Sequence, residues 1–140
     1  MRPKKPPRSG CPIDYAATIF GDRWTLLVLR DLAKGMKHFG EFAASNEGVA
    51  TNILASRLKL LERFGIISRQ IDPKNRRQVV YGLTQKGLDL TPIMLELTLW
   101  SAKHDPNTTV TKDFVDRAIG QRGRLIGEIV ARLSRTSTEG

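Results

Sequence analysis

FGEFAASNEGVATNILASRLKLLERFGII, residues 39–67, divides into a short helix, a turn carrying Gly48, a longer helix and a stop at Gly65. Leu54, Leu58 and Leu61 recur at i, i+4 and i+7, a spacing that puts them on one side of a helix over 51–64. Successive residues step by about 100° around a helix axis. The side opposite the leucines therefore carries Asn52, Ser56, Lys59 and Arg63, with Thr51 and Ala55 on its flank at the helix start. Short polar side chains followed by cations suit a helix lying in a DNA major groove. Taken alone, such a face is more often a solvated surface; its place after a helix-turn and before a basic hairpin, on a chain of net charge +9, favours the groove.

The residues before this stretch build a helical support. Cys11-Pro12-Ile13-Asp14 starts a helix, with Pro12 where its missing N–H costs nothing, and Gly21 ends it. Asp22 caps a second helix over 23–34. Its Trp24, Leu26, Leu27, Val28, Leu29, Leu32 and Ala33 are apolar nearly all round, the pattern of a buried central helix, and Gly35 closes it. A short third helix over 38–44 packs through Phe39 and Phe42.

After Gly65 the period changes. Ile71, then Val79, Tyr81 and Leu83, alternate along two strands within 68–83, and Asp72-Pro73-Lys74-Asn75 supplies the turn chemistry between them. Lys74, Arg76 and Arg77 fall on or beside the hairpin tip. Three helices, a recognition helix and a β-hairpin make a winged helix-turn-helix, so the fold class is mainly α with one small hairpin.

Thr84 caps the next helix, which bends or restarts at Pro92. Leu88, Leu95, Leu99 and Ala102 form one apolar stripe on it, and Ile93, Leu97 and Trp100 form another. A small domain buries only one side of a helix, so a second copy of the chain is the natural cover for the other. A last helix runs from a Thr111 cap to about residue 134, with Ile119, Ile126 and Ile129 at helical spacing. Gly120, Gly123 and Gly127 each weaken it by roughly 1 kcal/mol relative to Ala while permitting close approach of another helix. Leu95, Leu99, Trp100, Ile119, Ile126 and Ile129 are thus the expected dimer contacts. The organisation is a basic arm at residues 1–10, a winged-helix domain at 11–104 and a helical, dimerising extension at 105–140.

Charge points to the partner. Twenty-three Lys and Arg against fourteen Asp and Glu give +9, with a pI near 10.2. Such an excess favours a polyanion, nucleic acid first and an anionic membrane surface second. No apolar run approaches the ~20 residues needed to cross a bilayer. The N-terminus has Arg2, Lys4, Lys5 and Arg8 but no apolar stretch of the signal-peptide kind. A single cysteine excludes an intrachain disulfide framework and a cysteine-based zinc site, and it fits a reducing cytoplasm. With one cysteine and two histidines, His38 and His104, no orienting third group or phosphate loop stands at a recognisable spacing. An enzyme is not expected, and no metal or cofactor is implied.

Cys11-Pro12, Gly21-Asp22-Arg23-Trp24-Thr25, Leu29, Leu32, Gly35 and His38-Phe39-Gly40-Glu41-Phe42 resemble the opening of the HxlR-type regulators, winged-helix transcription factors of bacteria related to the MarR type. The likeness continues through Leu54, Leu58, Leu61, Glu62, Gly65-Ile66-Ile67 and Arg69. It resumes at Val80-Tyr81-Gly82-Leu83-Thr84, Gly87, Leu88, Pro92 and Trp100. The resemblance covers about residues 11–104. It implies a homodimeric, cytoplasmic regulator of double-stranded DNA, whose fourth helix reads the major groove and whose hairpin touches the flanking backbone. It also implies an effector for Cys11: several members use a cysteine there to sense oxidants or electrophiles, sometimes through an intersubunit disulfide. Three departures stand out. Val49-Ala50 replaces the family's usual Ile-Ser before the fourth helix, the wing is more basic, and the helix from Thr111 runs past the usual family end.

Within this frame Thr51, Asn52, Ala55, Ser56, Lys59 and Arg63 are the expected DNA-reading residues. Asn52 and Ser56 are suited to base edges, Lys59 and Arg63 to phosphate. Arg57 lies nearer the leucine stripe, where it serves packing. Lys74, Arg76 and Arg77 are the expected wing contacts; the plainer reading is a solubilising turn. For Cys11 the helix dipole and Arg8 favour a thiolate and Asp14 opposes it, and a cysteine that only packs at a helix start is the alternative. Regulation runs through this thiol or through a small ligand at the dimer interface. The rival from another class is a basic protein that binds nucleic acid without sequence preference and without a switch; a protein-interaction module is the third.

Overall fold

The computed structural model describes residues 9–138. Most of the basic arm expected at residues 1–10 lies outside the described residues. The chain runs α1 (Pro12–Phe20), α2 (Arg23–Ala33), α3 (Phe39–Ala43), α4 (Thr51–Arg63), β1 (Ile67–Asp72), β2 (Asn75–Leu83), α5 (Gln85–Leu88), α6 (Thr91–His104), α7 (Lys112–Gly120) and α8 (Arg122–Thr138). This is a winged helix-turn-helix with helices added at its C-terminal end.

Local chemistry sets the boundaries. Asp22 Oδ1 accepts from the Thr25 N–H at 3.1 Å and so caps α2. His38 caps α3 in a reciprocal box with Glu41, whose carboxylate accepts from the His38 N–H at 3.1 Å. Gly65, at φ +73°, ends α4 in the left-handed conformation that favours glycine. Thr84 accepts from the Gly87 N–H at 3.2 Å. Gly87 has no substitute here, because a Cβ would lie 2.3 Å from the Ile66 carbonyl oxygen.

The first core cluster joins Ile19 of α1, Val28, Leu29 and Leu32 of α2, Phe42 of α3, Leu54, Leu58 and Leu61 of α4, and Ile66, Ile67 and Tyr81 at the base of the hairpin. Leu54, Leu58 and Leu61 are buried, as their spacing predicts. Phe42 and Tyr81 meet edge to face at 6.1 Å between ring centroids. The strands pair antiparallel from Ile67–Leu83 to Ile71–Val79, after which the register shifts to Asp72–Asn75. Arg76, Arg77 and Gln78 therefore bulge at the tip.

The helix expected from Thr111 to residue 134 is instead two. Thr111 does cap α7, accepting from the Phe114 N–H, but the chain breaks at Gln121 (φ −132°, ψ 42°), immediately after Gly120. Three glycines in eight residues make an uninterrupted helix costly, and the break lets α8 fold back on its own chain. Leu95, Ala118 and Leu125 from α6, α7 and α8 form a second cluster, with Leu99, Phe114, Ile126 and Ile129 packed around it. Pro92 stands in the first turn of α6, so the helix restarts there.

Candidate nucleic-acid interface

The outward face of α4 is built by subtraction. Once three leucines are buried, Thr51, Asn52, Lys59 and Arg63 are exposed, while Ala55 and Ser56 are half-buried. Asn52, Ala55, Ser56, Lys59 and Arg63 line one open groove, walled on the other side by Ala17 and Thr18 of α1 and by Gly21 and Asp22 at the start of α2. Thr51, at the first position of α4, lies outside that groove. Lys74, Arg76 and Arg77 are all exposed at the hairpin tip. The Asp72 carboxylate accepts from the Lys74 N–H at 2.9 Å, and Asn75 Oδ1 accepts from the Arg77 N–H at 3.2 Å, which sets the tip's backbone.

The start of α4 is uncapped. Ala50 holds the N-cap position with no side-chain hydrogen bond. The other end is better served. Lys86 Nζ donates to the Phe64 carbonyl at 2.7 Å and to the Tyr15 hydroxyl at 3.0 Å, tying the C-terminus of α4 to α1.

Three ion-pair groups hold α4 and the hairpin in place. Arg57 Nη2 donates to Asp22 Oδ2 at 2.9 Å, so the residue that caps α2 also fixes α4; this bond, ahead of the backbone contacts, lowers the Asp22 carboxyl below its usual range. Arg57 Nη1 also reaches Ser56 Oγ at 3.3 Å. Arg30 grips Glu47, in the turn before α4, through two bonds of 2.7 and 2.8 Å, and bonds Asp31 as well. The Arg30 guanidinium holds the Glu47 carboxyl down at about 2. His38 Nε2 and Asp72 Oδ2 stand 3.1 Å apart, linking α3 to the wing. Asp72 first and then Glu41 raise the His38 imidazole above its usual value. Arg57 at the core boundary agrees with its place near the leucine stripe. Its partner, and the Arg30–Glu47 and His38–Asp72 pairs, carry no local sequence signal.

Cys11 is the N-cap of α1 and is exposed. Its N–H donates to Ser9 Oγ at 3.3 Å, and that hydroxyl donates to Asp14 at 2.8 Å. The expected dimer contacts divide. Leu95 is buried inside the chain's own second cluster, with Leu99, Ile126 and Ile129 packed against it. Trp100 and Ile119 are exposed at 66% and 71%, and Ile93 and Leu97 of α6 are exposed as well. Among the described residues no three His, Cys, Asp or Glu side chains gather as a metal site, and no helix is long and apolar enough to cross a membrane.

Comparison with known proteins places these elements in context. The profile of the HxlR-like helix-turn-helix family matches residues 19–109. An uncharacterised HTH-type transcriptional regulator of Synechocystis, sll1512, is 34% identical over 87 residues, spanning 62% of this chain and 64% of its own length. The HTH-type transcriptional regulator YodB of Bacillus subtilis is 33% identical over 105 residues, 74% of this chain and 94% of YodB. The crystal structure of PA1607 is similar with a TM-score of 0.69 at 31% identity, covering 74% of this chain and 73% of that one. The reduced form of YodB gives 0.58 at 32% identity over 70% and 97%. YodB has also been solved diamide-treated and quinone-bound.

Proposed function

The chain belongs to the HxlR-like helix-turn-helix family, and from this premise we propose that it is a cytoplasmic, sequence-specific transcriptional regulator that grips an inverted-repeat operator as a homodimer. The observation that carries the reading is the outward face of α4, where Asn52, Ala55, Ser56, Lys59 and Arg63 line one open groove opposite a fully buried leucine stripe. In this role α4 enters the major groove, Asn52 and Ser56 meet base edges, and Lys59 and Arg63 meet phosphate. The exposed Lys74, Arg76 and Arg77 hold the flanking backbone. With three to five such cations per subunit, the log–log salt slope of a dimer is about −5 to −9.

Dimerisation uses the apolar surface left on α6 and α7, centred on Trp100 and Ile119. Switching uses Cys11: a two-electron oxidant such as diamide takes two electrons and two protons from the thiols of the two subunits, which join as a disulfide, and the separation of the two α4 helices changes. The exposed position of Cys11 and the diamide-treated form of YodB support this choice.

A gel-shift competition tests the regulator reading. Duplex from upstream of the protein's own gene should be held about a thousandfold or more tighter than random duplex of equal length. Equal competition by the two would instead mark a basic protein without sequence preference.

A further inference from the structure

The helix α8 lies wholly beyond residue 109, where the family match ends. We propose that it is a brace that fixes the wing to the helical core, with Leu133 as the positioning residue. At its N-terminal half α8 is anchored by Leu125, buried against Leu95 and Ala118. Eight residues on, about 12 Å along the helix axis, Leu133 is 3% exposed. It lines a small cavity behind the hairpin together with Leu32 and Met36 on the core side and Val80, Tyr81 and Leu83 of β2. One residue earlier, Arg132 Nη2 donates to the Ala33 carbonyl at 3.0 Å, a cation on the C-terminal end of α2. α8 therefore touches both bodies whose relative position sets where the wing points.

The wing needs such support. A two-stranded ribbon is marginally stable by itself in water. Among the described residues its other ties to the core include the Tyr81 N–H to the Lys37 carbonyl, at 2.8 Å, and the His38–Asp72 pair. The first borders the cavity that Leu133 also lines, and the second lies at the tip end of β1. The mechanical role needs no DNA. Its consequence, that the phosphate contacts of Arg76 and Arg77 depend on Leu133, rests on the DNA-binding reading above.

Hydrogen exchange on the full chain without DNA tests the brace itself. Leu133→Ala should accelerate exchange at Tyr81 and the neighbouring hairpin amides by about tenfold or more relative to Leu58 in α4. Leu133→Val should give the same pattern in smaller degree, and it decides the matter if the alanine variant does not fold. Acceleration spread evenly over the chain, or none in the hairpin, overturns the proposal. On an operator that the unaltered protein binds, Leu133→Ala should weaken binding about tenfold and flatten the salt slope while the preferred sequence stays the same. Unchanged affinity and slope there overturn the brace's role at DNA. An unaltered protein that binds no DNA overturns the regulator reading instead, and the exchange result then judges the brace alone.

Discussion

Asn52 is exposed at the second position of α4, two residues from the buried Leu54. An amide there can pair bidentately with adenine, so Asn52→Ala should cost about 1–3 kcal/mol on the selected operator and little on random duplex; equal losses in titrations on both would remove it from base reading. Glu47 offers a test by pH. Its folded carboxyl lies at about 2 against a usual 4.5. The Arg30 contact therefore stabilises fully above 4.5 and fades as pH falls towards 2. Thermal melts should find Glu47→Gln less stable than the parent at pH 6, with the difference shrinking below pH 4.5; a difference independent of pH contradicts the pairing. For Cys11, diamide should produce a crosslinked dimer on non-reducing gels and release the operator, and Cys11→Ser should abolish both. Oxidant release that survives the substitution excludes this thiol. Asp22 as a cap was legible because a cap acts on its own next turn. Its bond to Arg57, 35 residues away, was not, since side-chain pairs at that separation leave no periodic trace.

At the scale of elements, the hairpin's strands followed from alternation, and its turn from Asp72 to Asn75. The bulge at residues 76–78 had no such signal, because a register shift depends on both strands together. It leaves Arg76 and Arg77 exposed at the tip. Arg76→Ala with Arg77→Ala should weaken operator and random duplex alike and reduce the salt slope by about 2 per subunit; an unchanged slope takes the wing out of the interface. The last helix shows the opposite limit. Helical spacing continues from Val115 to Leu133 across Gly120 and Gln121, so periodicity reads one helix where the backbone makes two. The propensity cost of the glycines was visible in the sequence, but the tertiary contacts that favour folding back were not.

For the whole molecule, the two apolar stripes of α6 part company. Leu95 is covered by the chain's own α7 and α8, whereas Ile93, Leu97 and Trp100 remain exposed. If that surface holds two copies together, Trp100→Glu should weaken self-association by about thirtyfold or more, equivalent to ~2 kcal/mol at a buried aromatic anchor. Sedimentation equilibrium reads this directly, and an unchanged dimer places the contact elsewhere. The family likeness and the +9 charge were plain in the sequence, as were the α4 face and the basic hairpin behind it. How far apart two α4 helices stand depends on the assembly, which no single chain encodes locally. Selection of bound sites from a random duplex pool reaches that question and the central claim together. An inverted repeat should emerge, with half-site centres about 34 Å apart or at a multiple of that turn. A bound pool with no enriched sequence would contradict a reading head on α4.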